Sequence, residues 1–422
     1  MLPQDFKEDI KLILNNEYDD FISTYNEESF KGLRINTLKL KNKDILPFSL
    51  TSIPWCGEGF YYTSKDTPGK HVYHEMGLYY IQEPSAMMVA KNLEINEGDF
   101  VLDMCAAPGG KSTQAAAYLN NQGLIVSNEI IPNRAKVLSS NIERMGIKNA
   151  VVVSEDTSKL KKRFKNFFNK IIVDAPCSGE GMFRKIPEAV NEWSRENVLM
   201  CAERQKEILK NAVELLQENG RIIYSTCTFS LQEDENIVEW FLSEYTDFKL
   251  VKSHKLWPHK EKGEGHFFAL FERGDLSKSN LNLPIKKVKQ NPDFVKFVKE
   301  FLNVNIEYNT QFGDNLYLSP IDKLDGLKVL RCGLHLGELK KNRFEPSHSL
   351  ALALKREDFK NVIDLNSQDK EVYKFLQGEA IETSIKGWGV VCVDGYPLGW
   401  FKGDGTLAKN HYPKGLRKEI EY

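Results

Sequence analysis

The chain carries no apolar run of the length a bilayer-spanning helix needs, and its first residues, Met1 to Asp9, hold acids without an apolar signal core. A membrane partner and secretion are therefore not expected. Cys-x-x-Cys pairs are missing too: the 7 cysteines, at positions 56, 105, 177, 201, 227, 332 and 392, form an odd and scattered set. That argues against a disulfide frame or structural zinc and for reduced thiols in the cytoplasm. His71 and His74 make no ligand constellation, so no metal is expected. An excess of charge of one sign is absent as well. A formal net charge of -2 neither requires nor forbids a nucleic-acid partner, because a basic patch can be local. Internal repeats and long low-complexity tracts are also lacking.

What is present is length and a clear alternation. A chain of 422 residues is long for one core and predicts two to four domains. From about 95 to 275 strand and helix patterns alternate, as in an α/β, doubly wound parallel sheet. Strands are predicted at 100–103, 124–128, 150–153, 170–174, 221–225 and 267–271, with helices at 111–119, 132–145 and 197–217. The expected domains are 1–92, a small α+β unit packed on the core; 93–275, the doubly wound core; 283–345, an intermediate α+β unit; and 346–422, a β-rich tail with Gly, Trp and Tyr. The polar stretch Ser277 to Lys289 reads as a linker. A monomer is expected.

Three strands end in residues that carry chemistry. Phe100-Val101-Leu102-Asp103 opens into Met104-Cys105-Ala106-Ala107-Pro108-Gly109-Gly110-Lys111-Ser112. Gly110-Lys111-Ser112 invites a phosphate-binding loop, but that motif needs glycine where Cys105 stands, which weighs against an ATPase. Small residues leading into a helix fit a nucleoside-cofactor turn better, since backbone can approach the ligand and the helix N-terminus faces it. A plain strand-to-helix connection is the bland alternative.

Against it stand acids at successive strand ends: Asp103, Glu129, Asp156 and Asp174. Glu129 falls where an acid accepts ribose hydroxyls, and Asp156 where one accepts an exocyclic adenine amine. Any single one is more often a helix cap; the ladder points to an adenosyl compound. The turn lacks Gly-x-Gly-x-x-Gly, which disfavours NAD.

Two cysteines share that strand-end rim, Cys177 in Asp174-Ala175-Pro176-Cys177-Ser178-Gly179 and Cys227 in Ser225-Thr226-Cys227-Thr228-Phe229. A lone cysteine is usually a small buried hydrophobe. Two beside a cofactor turn suggest covalent chemistry, with the thiolate fraction raised by a neighbouring cation or helix end. Ser230 and Glu233 read as a capping box, which would set Cys227 just before a positive helix terminus. Cys177 precedes a glycine-bearing loop, expected to be flexible, with Arg184 and Lys185 nearby.

These segments resemble the signature motifs of the Fmu/Sun (Nol/Nop/Sun) group of RNA cytosine-5 methyltransferases. Further matches are Leu33-Arg34-Ile35-Asn36-Thr37-Leu38, Tyr80-Ile81-Gln82-Glu83-Pro84-Ser85-Ala86-Met87 and Gly263-Glu264-Gly265-His266-Phe267, so the likeness covers residues 30 to 275 in the family's order. The tail from Leu398 to Arg417 resembles the PUA-like RNA-binding module of the RsmF-like branch, which methylates small-subunit (16S) ribosomal RNA. The resemblance implies a Rossmann-like core and S-adenosyl-L-methionine as cofactor, held by Cys105, Ala106, Ala107, Pro108, Gly109, Gly110, Lys111, Glu129, Asp156 and Asp174. It implies Cys227 as nucleophile on C6 of cytosine, Cys177 in product release and Asp174 at N3. The basic stretch Lys159 to Arg163 and the aromatic tail would meet RNA, or else form a solvated helix face and an ordinary β core. Rival readings are a transfer-RNA enzyme, a non-catalytic ribosome-assembly factor, and a DNA cytosine-5 methyltransferase. In the last the Pro-Cys thiol attacks and Cys227 has no task.

Overall fold

A computed structural model describes residues 2–274, 287–322 and 324–418. Residues 277–286 of the proposed linker lie outside them. The strands Phe100–Asp103, Leu124–Asn128, Ala150–Val153, Phe168–Asp174 and Leu216–Thr226 run parallel, each joined to the next in sequence by helical segments. Their apolar, β-branched residues are buried on both faces, as central strands of such a sheet require. Helices form where the apolar period changes to 3.6, at Gly110–Tyr118, Pro132–Arg144 and Arg195–Leu215.

In space the sheet runs from strand Phe248–Leu256 through His266–Arg273, Leu216–Thr226, Phe168–Asp174, Phe100–Asp103 and Leu124–Asn128 to Ala150–Val153 and Val329–Cys332. Chain order reverses between Phe100–Asp103 and Phe168–Asp174. A crevice opens at such a reversal beyond the strands' carboxyl ends. The last strand comes from well past residue 275 and pairs antiparallel with Ala150–Val153. Arg331 within it is buried and ion-paired to Glu143 at 2.5 Å.

Three smaller antiparallel or mixed sheets surround this core. The first, ordered Thr51–Ile53, Cys56–Tyr61, Gly32–Ile35, Tyr79–Ile81, lies N-terminal to it. Asn36 fastens this sheet to the core, its Nδ2 donating to the carbonyls of Gly77 (2.8 Å) and Met145 (2.9 Å). A four-stranded sheet spans Thr310 to Pro346, and five strands between Val362 and Asn410 form the tail. Leu33, Phe60 and Tyr79 of the first sheet share one apolar core with Phe375, Val391 and Phe401 of the tail. Tyr73 adds a hydrogen bond to Asp394 (2.8 Å) across that contact. Among the described residues no helix is long and apolar enough to cross a membrane, and no three His, Cys, Asp or Glu side chains group to hold a metal.

Candidate active site

The turn after Asp103 is shaped by its small residues. Gly109 has φ +115°, a left-handed conformation open to glycine, and a Cβ there would stand 3.1 Å from Leu138. The following helix is held from outside the core. Arg34 is fully buried within its strand and donates to the Gly110 carbonyl (3.2 Å), Thr113 Oγ1 (2.9 Å) and Gln82 Oε1 (3.1 Å). Two of the quoted segments thus brace the turn. A third does the same for the thiol loop: Glu264 accepts from Arg184 Nε at 2.7 Å and donates its N–H to Glu83.

Beyond the strand ends lies a cavity of about 980 Å³, the size of a small-molecule site. Cys105 and Ala107 of the turn, the acids Glu129, Asp156 and Asp174, and both thiols line it. Ala106, Pro108, Gly109, Gly110 and Lys111 stand behind that lining and build the turn. Glu129 is buried, with Oε1 accepting from the Ile131 N–H and Oε2 3.4 Å from Arg134. Asp156 is exposed and caps the helix Thr157–Phe164, Oδ1 accepting from the Ser158 N–H (2.9 Å) and hydroxyl (2.6 Å). Asp103 is not on the wall: burial pushes its carboxyl up to about 7, and Oδ2 is taken by Ser112.

Asp174 is the electrostatic centre. Burial opposes its ionisation, but the Lys111 ammonium at 2.8 Å and the Ser225 hydroxyl at 2.9 Å outweigh that and hold the carboxyl below its ordinary range. Lys111 is therefore committed to a side chain of the site, unlike the phosphate-facing lysine of a P-loop. His266, unassigned by the motifs, is buried with Nε2 3.9 Å from Asp174 Oδ1, and burial takes its pKa down to about 4, so it is neutral.

The two thiols meet. Cys177 Sγ lies 3.3 Å from Cys227 Sγ and accepts from the Cys227 N–H at 3.4 Å. Its hydrogen bond with Cys227, together with burial, pushes the Cys177 thiol well up, so it keeps its proton. All 7 cysteines are free.

Two local expectations fail here. No capping box follows Cys227: the helix begins at Glu235 after an uncapped Asp234, Ser230 bonds Gln232, and Glu233 accepts from the Ser178 N–H instead. The positive helix end is thus eight residues beyond the thiol, too far for a field that fades within a turn. Nor is the Cys177 loop free with cations aimed at it. Arg184 is buried against Glu264 and the Thr24 carbonyl, and a Cβ at Gly181 would lie 2.7 Å from the Gly265 carbonyl. The basic stretch is also largely spent: Lys159 pairs with Glu155 (3.3 Å) and Lys161 with Glu214 (2.7 Å).

The donor set fits an adenosyl cofactor. Carboxylates on the cavity wall would suit its cationic sulfonium and amine and its ribose hydroxyls, and the turn would admit backbone close to it.

Comparison with known proteins follows the same segments. Residues 90–272 match the family described as 16S rRNA methyltransferase RsmB/F. Residues 2–84 match the N-terminal domain of 16S rRNA methyltransferase RsmF, 296–354 its first C-terminal domain and 360–418 the methyltransferase RsmF PUA domain. The ribosomal RNA small subunit methyltransferase F of Vibrio vulnificus is 31% identical over 462 aligned positions, covering 99% of this chain and 98% of its own. That of Shewanella piezotolerans is 32% identical over 95% of this chain and 94% of its own. Among solved structures, a methyltransferase homolog protein from Pyrococcus horikoshii superposes with TM-score 0.56 at 25% identity, covering 61% of this chain and 90% of its own. NSun6 from Pyrococcus horikoshii with SFG gives the same fold at TM-score 0.57 and 22% identity, over 64% of this chain and 98% of its own.

Proposed function

The chain belongs to the RsmB/F family of methyltransferases, and we propose that it methylates C5 of a cytosine in small-subunit (16S) ribosomal RNA, acting in the cytoplasm as a monomer. The observation that carries this reading is the pair of thiols 3.3 Å apart on the wall of the cavity that the cofactor turn opens. S-adenosylmethionine, on which this family depends, supplies an electrophilic methyl group when bound. Cys105, Ala107, Glu129, Asp156 and Asp174 would hold it, over the backbone of 106–111.

C5 of cytosine is a weak nucleophile. The Cys227 thiolate forms a bond to C6, and the electrons of the C5=C6 double bond move toward N3, leaving C5 enamine-like. A carboxylate has no proton to give N3. The Lys111–Asp174 pair holds one, which Asp174 relays to N3 as charge develops and takes back when the C5=C6 double bond is restored. C5 then takes the methyl group. Loss of the C5 proton to a base restores the double bond and expels the Cys227 sulfur. Cys177 stands against the breaking S–C6 bond and serves as the acid or base of that last step. A second thiol in this position favours RNA over DNA, where the Pro-Cys thiol attacks alone. Intact Cys227, Cys177 and Asp174 favour an enzyme over an assembly factor, and the RsmF-type outer segments favour ribosomal over transfer RNA.

Bisulfite sequencing of total RNA with and without the gene tests the reading. Loss of one or more protected 16S cytosines is expected; loss confined to transfer RNA, or none, would sink it.

Replacing Lys111 by Met removes the cation that keeps Asp174 ionised. Because burial then dominates, the Asp174 carboxyl rises and supplies its own proton only on the acid side. The methylation rate near neutral pH should fall about 100-fold, the loss typical of a missing proton-transfer group, and recover in part as pH is lowered, which a pH–rate profile reads. Stability should fall by roughly 2–4 kcal/mol in denaturant, short of a fully buried pair because Asp174 keeps some solvent contact.

A further inference from the structure

Beneath the thiols lies a buried polar cluster that the reaction as derived does not use. Gln205, on the helix Arg195–Leu215, donates from Nε2 to the Pro176 carbonyl (3.0 Å) and to Glu233 Oε2 (2.8 Å). Glu233 in turn accepts from the Ser178 N–H, at 3.0 Å to Oε2 and 3.3 Å to Oε1. Pro176 and Ser178 are the two chain neighbours of Cys177. One amide and one carboxylate therefore grip the backbone on both sides of that thiol.

The other end of the cluster is tied to the Cys227 strand. The Tyr224 hydroxyl donates to Gln205 Oε1 (2.9 Å) and to the Glu233 carbonyl (2.5 Å), while Ser178 and Thr228 share a hydroxyl hydrogen bond of 2.8 Å. Cys227 itself needs no such clamp, since Ser225 and Thr226 are already paired into the sheet with Asp174 and Phe267. Gln205 and Glu233 are both fully buried and stand behind the cavity wall. A carboxylate in that setting is costly to keep charged, and burial pushes Glu233 up to about 7. The donors from Ser178 and Gln205 offset that cost only in this one arrangement.

We propose that Glu233 and Gln205 are positioning residues that hold the Cys177 thiol within reach of Cys227 and so set the rate of product release, without touching RNA. The inference rests on the reading of Cys177 as the release group. A displacement of about 1 Å in a reacting group costs on the order of 100-fold, and without the clamp the Pro176 carbonyl and the Ser178 N–H lose the partners given above, leaving the Ser178–Thr228 hydroxyl bond.

The test uses the full chain with in-vitro-transcribed 16S rRNA and S-adenosylmethionine. Glu233→Ala and Gln205→Met, beside Cys177→Ala, are read for first-turnover methylation, steady-state turnover and protein–RNA species that survive denaturation. In both clamp variants first-turnover methylation should stay within about threefold of the parent, turnover should fall roughly 10- to 100-fold, and the denaturation-resistant species should accumulate. Glu233→Gln, which keeps an acceptor for the Ser178 N–H, should recover part of the lost turnover. If Cys177→Ala traps RNA while both clamp variants release it at the parent rate, the inference is overturned and the reading of Cys177 stands. If Cys177→Ala traps nothing, that reading fails and takes the inference with it. Equal loss of first turnover and release in the clamp variants would make them general supports and also overturn the inference. Should Glu233→Ala not fold, Gln205→Met decides by the same readout.

Discussion

Cys227→Ala should abolish methyl transfer, lowering the single-turnover rate by about 10⁴-fold or more, while S-adenosylmethionine binds within about threefold of its parent affinity. The size of the effect follows from chemistry. Without a bond to C6, C5 keeps its aromatic, non-nucleophilic character. Cys177 is the nearest alternative, but even without its bond to Cys227, burial holds its thiol above the ordinary cysteine range, so thiolate there is scarce. Retained binding follows from structure. Cys227 comes after a strand end already fixed by Thr226 and Ser225 in the sheet. Glu129 and Asp156 are held by the Ile131 and Ser158 N–H groups rather than by the Cys227 sulfur. Methylation assays and cofactor titration of the purified variant check both halves, and turnover retained within tenfold would remove the nucleophile assignment.

The second large effect has the opposite character. Cys177→Ala should complete the first half of the reaction and stall, leaving RNA joined to Cys227 as a band that survives denaturing electrophoresis. The geometry favours this because removing Cys177 subtracts its hydrogen bond with the Cys227 sulfur and leaves the attacking group in place. Trapping should need the cofactor, since only after C5 is methylated is elimination the step left undone. Multiple turnover should fall by about 100-fold or more, the loss typical of a missing proton-transfer group. If Cys227→Ala trapped RNA and Cys177→Ala did not, the two roles would have to be exchanged.

Much of this site was legible in the residues because its frame is set by short-range pattern. Phe100–Asp103, Leu124–Asn128 and Ala150–Val153 begin and end where their apolar runs do, since both faces of each are buried. The rim then follows from where those runs stop. What escaped is decided by partners distant in sequence. Ser230 and Glu233 have the spacing of a capping box, yet the Ser178 N–H and Gln205 offer Glu233 better donors than its own helix end does.

Strand Val329–Cys332 carries an arginine at a buried position and reads ambiguously until Glu143 is seen to pair with it. A signal for the clamp did exist. Gln205 sits among Cys201, Ala202, Ile208, Leu209 and Ala212 on the buried face of one helix, and a polar residue on such a face needs a reason. Arg34, between Leu33 and Ile35 in a buried strand, is the same signal in β form.

The shared core of the first sheet and the tail bears on how the chain is made. Leu33, Phe60 and Tyr79 leave the ribosome before the parallel sheet, while Phe375, Val391 and Phe401, which cover them, emerge only after it. Until those late residues emerge, an apolar sheet waits half clothed, the kind of exposure that invites aggregation during translation. Closing a contact over so many residues is also slow, because the chain entropy it costs is lost before the contact rewards it. The methylation machinery between them is thus bracketed by a clasp whose two halves lie on either side of it in the chain.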